Sequence, residues 1–226
     1  MAFRKKALAI LQNQPDILIV QECECAEKLI FPSDVPKPSD TLWFGNNQHK
    51  GIAIFSYGDY RLKLLEVYNA DLQHIIPVAV SDGVTAFILF AIWANHPTDP
   101  DGQYVEQVWK AINYYDDLLQ NTQTILTGDF NSNTIWDRKR RIGNHSDVVK
   151  YLADKGIFSA YHLHYQQIQG KEQHPTFYLY KHQDKPYHMD YCFVSADIAS
   201  RLTSVLIGEY DFWKQFSDHL PVMVSF

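Results

Sequence analysis

Thr124-Ile125-Leu126-Thr127-Gly128-Asp129-Phe130-Asn131 is a short run of strand-forming residues that ends in a glycine, an acid and an amide. β-Branched and aliphatic side chains favour a pleated strand. If that strand continues, residues two apart share a face, so Asp129 and Asn131 point together while Phe130 anchors the other side. One carboxylate to steer a water and one amide to bind a phosphate oxygen suit the hydrolysis of a phosphate ester. An Asx-rich turn closing a strand would look the same in isolation.

Working outward, the chain reads as many strands with a few helices. Ala7, Leu8, Ile10 and Leu11 follow helical spacing, and Pro15 ends that helix. Ile17 to Val20 is a continuous apolar run, the mark of a strand covered on both faces. Further strands are expected at 43–44, 51–56, 61–68, 75–80 and 85–93, separated by turn signals such as Ser81-Asp82-Gly83. Val105, Val108, Trp109, Ile112, Tyr115, Leu118 and Leu119 line one face of the clearest helix. A second helix is expected at 147–154 and stops at Gly156. The remaining strands fall near 176–180, 188–195, 203–209 and 220–226. With no internal repeat or linker, this predicts one domain over 1–226, two sheets packed face to face with helices outside.

Three further places carry chemistry. Glu22 stands where an apolar strand meets a loop, a position from which rigid backbone aims a side chain. Asp190 lies in His188-Met189-Asp190-Tyr191-Cys192-Phe193-Val194, an interior strand with bulky residues on both faces. An unpaired charge there would be costly, so a partner must compensate it. Ser217-Asp218-His219 supplies one: a buried carboxylate holding an imidazole fixes its tautomer and favours its protonated form. A satisfied core Asp–His pair is the plain alternative.

Composition sets bounds around these sites. The 226 residues are 46% hydrophobic, enough to fill a core, and the net charge of −6 argues against gripping duplex DNA through a broad basic surface. A bound metal would supply positive charge locally, so a nuclease is not excluded. Cys23, Cys25 and Cys192 are too few for a disulfide framework and read as reduced thiols of a cytoplasmic protein. The longest apolar run, Ala86 to Ala94, is nine residues and too short to span a bilayer. The basic opening of the chain lacks the apolar core and cleavage site of a signal peptide.

Asp16-Ile-Leu-Ile-Val-Gln-Glu22, Gly128-Asp-Phe-Asn131, His188-Met-Asp-Tyr191 and Ser217-Asp-His-Leu-Pro221 occur in an order that resembles the endonuclease/exonuclease/phosphatase superfamily, which shares its fold with deoxyribonuclease I. The resemblance covers nearly the whole chain and implies a four-layer α/β/β/α sandwich. Carried over by position, Glu22 resembles the metal-binding glutamate and Asp218 the acid near the metal. Asp129 resembles the residue that orients or deprotonates water, Asn131 its phosphate-contacting neighbour, and Asp190 and His219 the pair that stabilises charge on the scissile phosphate. Asn95, His96 and His188 are candidate substrate contacts. Mg²⁺ is the implied ion, since hard oxygen donors suit it, with Mn²⁺ as a substitute. Members normally begin with a strand carrying a Trp-Asn-type motif, whereas this chain opens on the helix that should follow it. The expectation is that Met1 is an internal methionine of a longer protein and that one sheet has an unfilled edge.

These observations favour a nuclease or small phosphodiesterase acting on nucleic acid or a small phosphodiester. A phosphomonoesterase and a catalytically silent binding module of the same fold are the alternatives. Arg138-Lys139-Arg140-Arg141 lies just past the Asp129 loop, where it would contact nucleic-acid phosphates or form an ordinary solvated face. No membrane-binding hairpin stands out, and no obligate protein partner is readable.

Overall fold

The structure is a computed structural model that describes residues 3–31, 33, 35–95, 104–120 and 123–226. β1 (Ile17–Cys23), β2 (Asp40–Asn47) and β3 (Lys50–Ser56) form one antiparallel sheet in the order β1-β3-β2. The second sheet takes β4 (Arg61–Leu64), β5 (Ile75–Ser81), β6 (Ala86–Trp93), β7 (Thr124–Asp129) and β8 (Ile157–Ser159). After a short ladder of β9 (Phe177–Tyr178) with β10 (Pro186–Tyr187), β11 (Asp190–Ser195) enters it between β7 and β8, giving the order β4-β5-β6-β7-β11-β8. β12 (Ser204–Ile207) and β13 (Val222–Ser225) pair with each other.

The alternation of side chains along the strands explains why their sequences read as unbroken apolar runs. On β6, Phe90 and Ile92 face one core while Leu89, Ala91 and Trp93 face another. On β11, Tyr191 and Phe193 join the first core, and Cys192 and Val194 the second. The first core is roofed by α2 (Val105–Tyr114) and α3 (His145–Asp154) through Val108, Ile112, Val148 and Leu152. The second lies between the sheets, where Ile52 and Ile54 of β3 meet Ile76 and Val78 of β5. A third core packs Phe3, with Ala7 and Leu11 of the N-terminal helix α1 (Ala7–Leu11), against Val20, Ala53 and Phe55. Burying each such large side chain contributes about 1.5–3 kcal/mol. The result is the expected α/β/β/α sandwich.

Several boundaries differ from the sequence reading. α2 ends at Tyr114, and a separate 3-10 turn covers Asp116–Leu119, where Asp116 accepts from Lys155 at 2.5 Å. α3 begins two residues earlier than expected because Asp147 accepts the Asn144 N–H at 2.9 Å, satisfying a first-turn donor. β8 and a short helix over Ala160–Tyr165 carry too little periodicity to be read from sequence. No helix among the described residues is long and apolar enough to cross a membrane.

Among the described residues β1 pairs only with β3, and β13 only with β12. A cleft of about 620 Å³ lies between these two strands. Gln21, Gly128, Asp190 and His219 line it where β1, β7 and β11 converge, and Ile198 and Arg201 line it beyond the far end of β11.

Candidate active site

The sheet register brings the two aspartates together. In the antiparallel β7–β11 ladder Asp129 stands directly opposite Asp190. Thr176, fully buried, fixes the start of β11: its Oγ1 accepts the N–H groups of Met189 and Asp190, each at 3.0 Å. The Thr176 carbonyl accepts the Leu220 N–H at 2.7 Å, and Phe177 bridges to His219. One threonine therefore ties the segment bearing Asp190 to the segment bearing His219.

His219 Nδ1 lies 2.9 Å from Asp190 Oδ2, and its Nε2 lies 4.0 Å from Asp129 Oδ2. Burial acts to lower the pKa of His219, but Asp190 and Asp129 outweigh it and raise it to about 10. The ring is therefore an imidazolium at neutral pH, donating from Nδ1 to Asp190 with Nε2–H turned toward Asp129. Burial drives Asp129 up to about 7; the nearby His219 charge opposes the rise and Asp190 adds to it.

Asn131 does not continue the strand as the sequence suggested. β7 stops at Asp129 and Asn131 takes a left-handed φ of 46°, so the residues share a site through a turn and not through strand alternation. The outcome is still an intimate pair. The Asn131 backbone N–H donates to Asp129 Oδ1 at 2.8 Å, and its amide Nδ2 donates to Asp129 Oδ2 at 2.9 Å and to the Ala94 carbonyl at 2.8 Å.

Gly128 leaves room both for the neighbouring strand β6 and for Gln21 of the other sheet. Its φ is +138°, and a Cβ there would lie 2.0 Å from the Ile92 carbonyl oxygen and 2.7 Å from Gln21 Nε2. The Gln21 amide of β1 donates to that same carbonyl at 3.0 Å. The next residue, Glu22, sits at a bulge between Gln21 and Cys23 with φ 57°, which re-aims its side chain. Lys50 Nζ lies 2.8 Å from Glu22 Oε1 and 5.3 Å from the Trp93 ring. Lys6 lines the cleft, where burial lowers its pKa against the pull of Cys23, Glu22 and Asp218.

The remaining candidates fall as follows. Asp218 precedes His219 and is half-buried, its carbonyl accepting the Tyr178 N–H at 2.8 Å. The Asn95 amide is engaged with His74 Nδ1 at 2.8 Å, beside Trp93. His96 lies outside the described residues. His188 is not brought to the cleft: it is buried between Tyr161 and Tyr191, with Nδ1 against the His174 carbonyl at 2.8 Å. Sequence reading did not foresee Lys50 on Glu22 or the Gln21 bridge, because both arise from pairing between distant strands.

Asp129, Asp190 and His219 offer ligand atoms within 4.8 Å of one another, among the described residues a group able in geometry to hold an ion. Two of its three donors are carboxylates, and the His219 Nδ1 is already engaged by Asp190 at 2.9 Å. Glu22 is a further oxygen donor: its carboxylate is partly exposed and attracts the Lys50 ammonium. The hard carboxylate oxygens of Glu22 and Asp218 suit a divalent ion such as Mg²⁺.

The sandwich thus brings an Asp–Asn pair and an Asp–His pair together where β7 and β11 meet. The chain belongs to the endonuclease/exonuclease/phosphatase family, whose model matches residues 4–219. Among solved structures it is similar to a 3'-5' exonuclease, NExo, from Neisseria meningitidis, with 20% identity and a TM-score of 0.66, covering 100% of this chain and 96% of that one. An AP endonuclease from Archaeoglobus fulgidus has 18% identity and a TM-score of 0.68, with 99% and 93% covered. An endonuclease/exonuclease/phosphatase family protein from Leptotrichia buccalis has 14% identity and a TM-score of 0.60, with 99% and 92% covered. At these identities the likeness speaks for the fold. No curated protein matches the sequence.

Proposed function

We propose that this chain is a divalent-metal-dependent phosphodiesterase of the nuclease type. The observation that carries the reading is the convergence of Asp129, held on both oxygens by Asn131, with the His219 imidazolium held by Asp190. Two solved relatives add weight, an AP endonuclease and the exonuclease NExo; NExo is also described as a 3' phosphatase in complex with a product DNA hairpin, which keeps the monoesterase alternative in view.

In this reading the Asp129 carboxylate takes a proton from water as the water oxygen forms its bond to phosphorus and the opposite P–O bond breaks, the departing oxygen taking its proton from solvent. A pKa near 7 suits a base working at neutral pH. Asn131 fixes the carboxylate's direction; direct contact of its amide with phosphate would require exchanging one of its two present bonds. The His219 Nε2–H, aimed beside Asp129, donates to a phosphoryl oxygen as negative charge grows there, and Asp190 keeps that proton in place. Glu22, with Asp218, would hold Mg²⁺, or Mn²⁺ in its stead, and a bound ion would neutralise charge on the phosphoryl group and its leaving oxygen. Lys50 must then leave Glu22, which frees its ammonium to face the phosphate.

The test is hydrolysis of bis-p-nitrophenyl phosphate against p-nitrophenyl phosphate across a Mg²⁺ titration. Metal-dependent cleavage of the diester, lost in Asp129→Asn and in His219→Ala with the circular dichroism spectrum intact, is expected. Preference for the monoester would favour a phosphomonoesterase, and no metal-dependent turnover on either substrate a silent binding module.

A further inference from the structure

A file of aromatic rings leads from His219 to the protein surface. Phe177 faces the His219 imidazole at 4.6 Å, and Tyr187 lies over Phe177 at 6.4 Å with the planes 30° apart. Trp136 packs on Tyr187 at 5.1 Å. The file is assembled from three separate segments: the 3-10 turn Thr134–Trp136 just after the Asp129 loop, β9 and β10. At its outer end Trp136 is 40% exposed and its neighbour Ile135 56% exposed. An indole that leans on one ring and leaves this much of itself in water gains little for the fold. Part of this indole is left in water at the outer end of the file that starts at His219.

Charge continues the same path. Arg138, Lys139 and Arg140 follow Trp136 closely, all are exposed, and none has an anionic partner among the described residues. Arg141, by contrast, turns inward to Asn144 Oδ1 at 2.8 Å and toward Glu106 at 3.8 Å. In a chain of net charge −6, three adjacent unpaired cations beside a stacking surface reverse the local sign. A polyanion whose units carry flat rings matches both features. Bases already stacked in a duplex have no face to offer Trp136, so the fitting partner has unpaired bases.

We propose that Trp136, with Arg138, Lys139 and Arg140, forms a binding ledge for single-stranded nucleic acid, stacking a base a few nucleotides from the phosphate at His219. This rests on the phosphodiesterase reading for what happens at His219, but the ledge can be tested without turnover. Fluorescence anisotropy in EDTA would follow the full chain binding labelled oligothymidine, oligouridine and a blunt DNA duplex, each of about twelve nucleotides per strand. The single strands should bind more tightly than the duplex, and the better of the two identifies the polymer. Trp136→Ala should weaken single-strand binding about tenfold, while Trp136→Phe retains most of it. Arg138→Gln, Lys139→Gln and Arg140→Gln together should reduce the slope of log K against log salt by about 2. Cleavage of bis-p-nitrophenyl phosphate, too small to reach Trp136, should be unchanged in all of these variants. Single-strand affinity within twofold of wild type in Trp136→Ala, or a duplex bound as tightly as a single strand, overturns the ledge. Absence of diester cleavage with the binding changes intact would instead remove the phosphodiesterase reading and leave the ledge standing.

Discussion

Replacing His219 with glutamine removes one positive charge 4.0 Å from Asp129 Oδ2 while keeping a side chain able to hydrogen-bond Asp190. Two unit charges at that distance interact by about 4 kcal/mol at an effective dielectric near 20, or roughly three pH units at 1.36 kcal/mol each. That is a ceiling, because the His219 side chain is 30% exposed and water screens it. The Asp129 titration should therefore move from about 7 to roughly one to two pH units higher in His219→Gln. Carboxyl ¹³C NMR of aspartate-labelled protein in EDTA measures this directly, with Asp129→Asn assigning the resonance. The same pair sets the pH profile of the wild type. Hydrolysis should rise through about pH 7 as Asp129 ionises and fall through about pH 10 as His219 loses its proton. His219→Gln should lose the alkaline limb. An Asp129 midpoint that stays still or moves down in the variant would refute the electrostatic coupling on which the proposed base depends.

Glu172 supplies a second titration with the opposite sign. Burial acts to raise its pKa, but hydrogen bonds from His162, Gly170 and Asn133 prevail and hold it at about 2, with the side chain 4% exposed. Its contribution is full above about pH 4.5 and is lost as pH falls through about 2, so Glu172→Gln should cost roughly 3 kcal/mol in urea unfolding at pH 7 and flatten the acid side of the stability curve. Gly128→Ala should cost at least about 3 kcal/mol, since φ is +138° and the new Cβ meets the Ile92 carbonyl at 2.0 Å. A thermal midpoint within a degree of wild type would show that β6 and β7 can part at this position without penalty.

The sequence by itself determined the layers. Runs such as Ile17 to Val20 and Tyr191 to Val194 are short and apolar at every position, the pattern of a strand covered on both faces, and each face does meet a different core. It also placed Glu22, Asp129, Asp190 and His219 at strand ends, because a charge beside such a run is conspicuous. What it could not determine was which end met which. Asp129 faces Asp190 through strand register, His219 reaches Asp190 through Thr176, and Glu22 is turned by a bulge in β1. Local patterning also misled: Asn131 reached its place by a left-handed turn, and His188, two residues from Asp190, went into the core. Hydrophobic periodicity is a one-dimensional signal that each residue carries in its own neighbours. Register, crossover and sheet-to-sheet approach are decided by packing between segments far apart in the chain, and only the folded molecule expresses them.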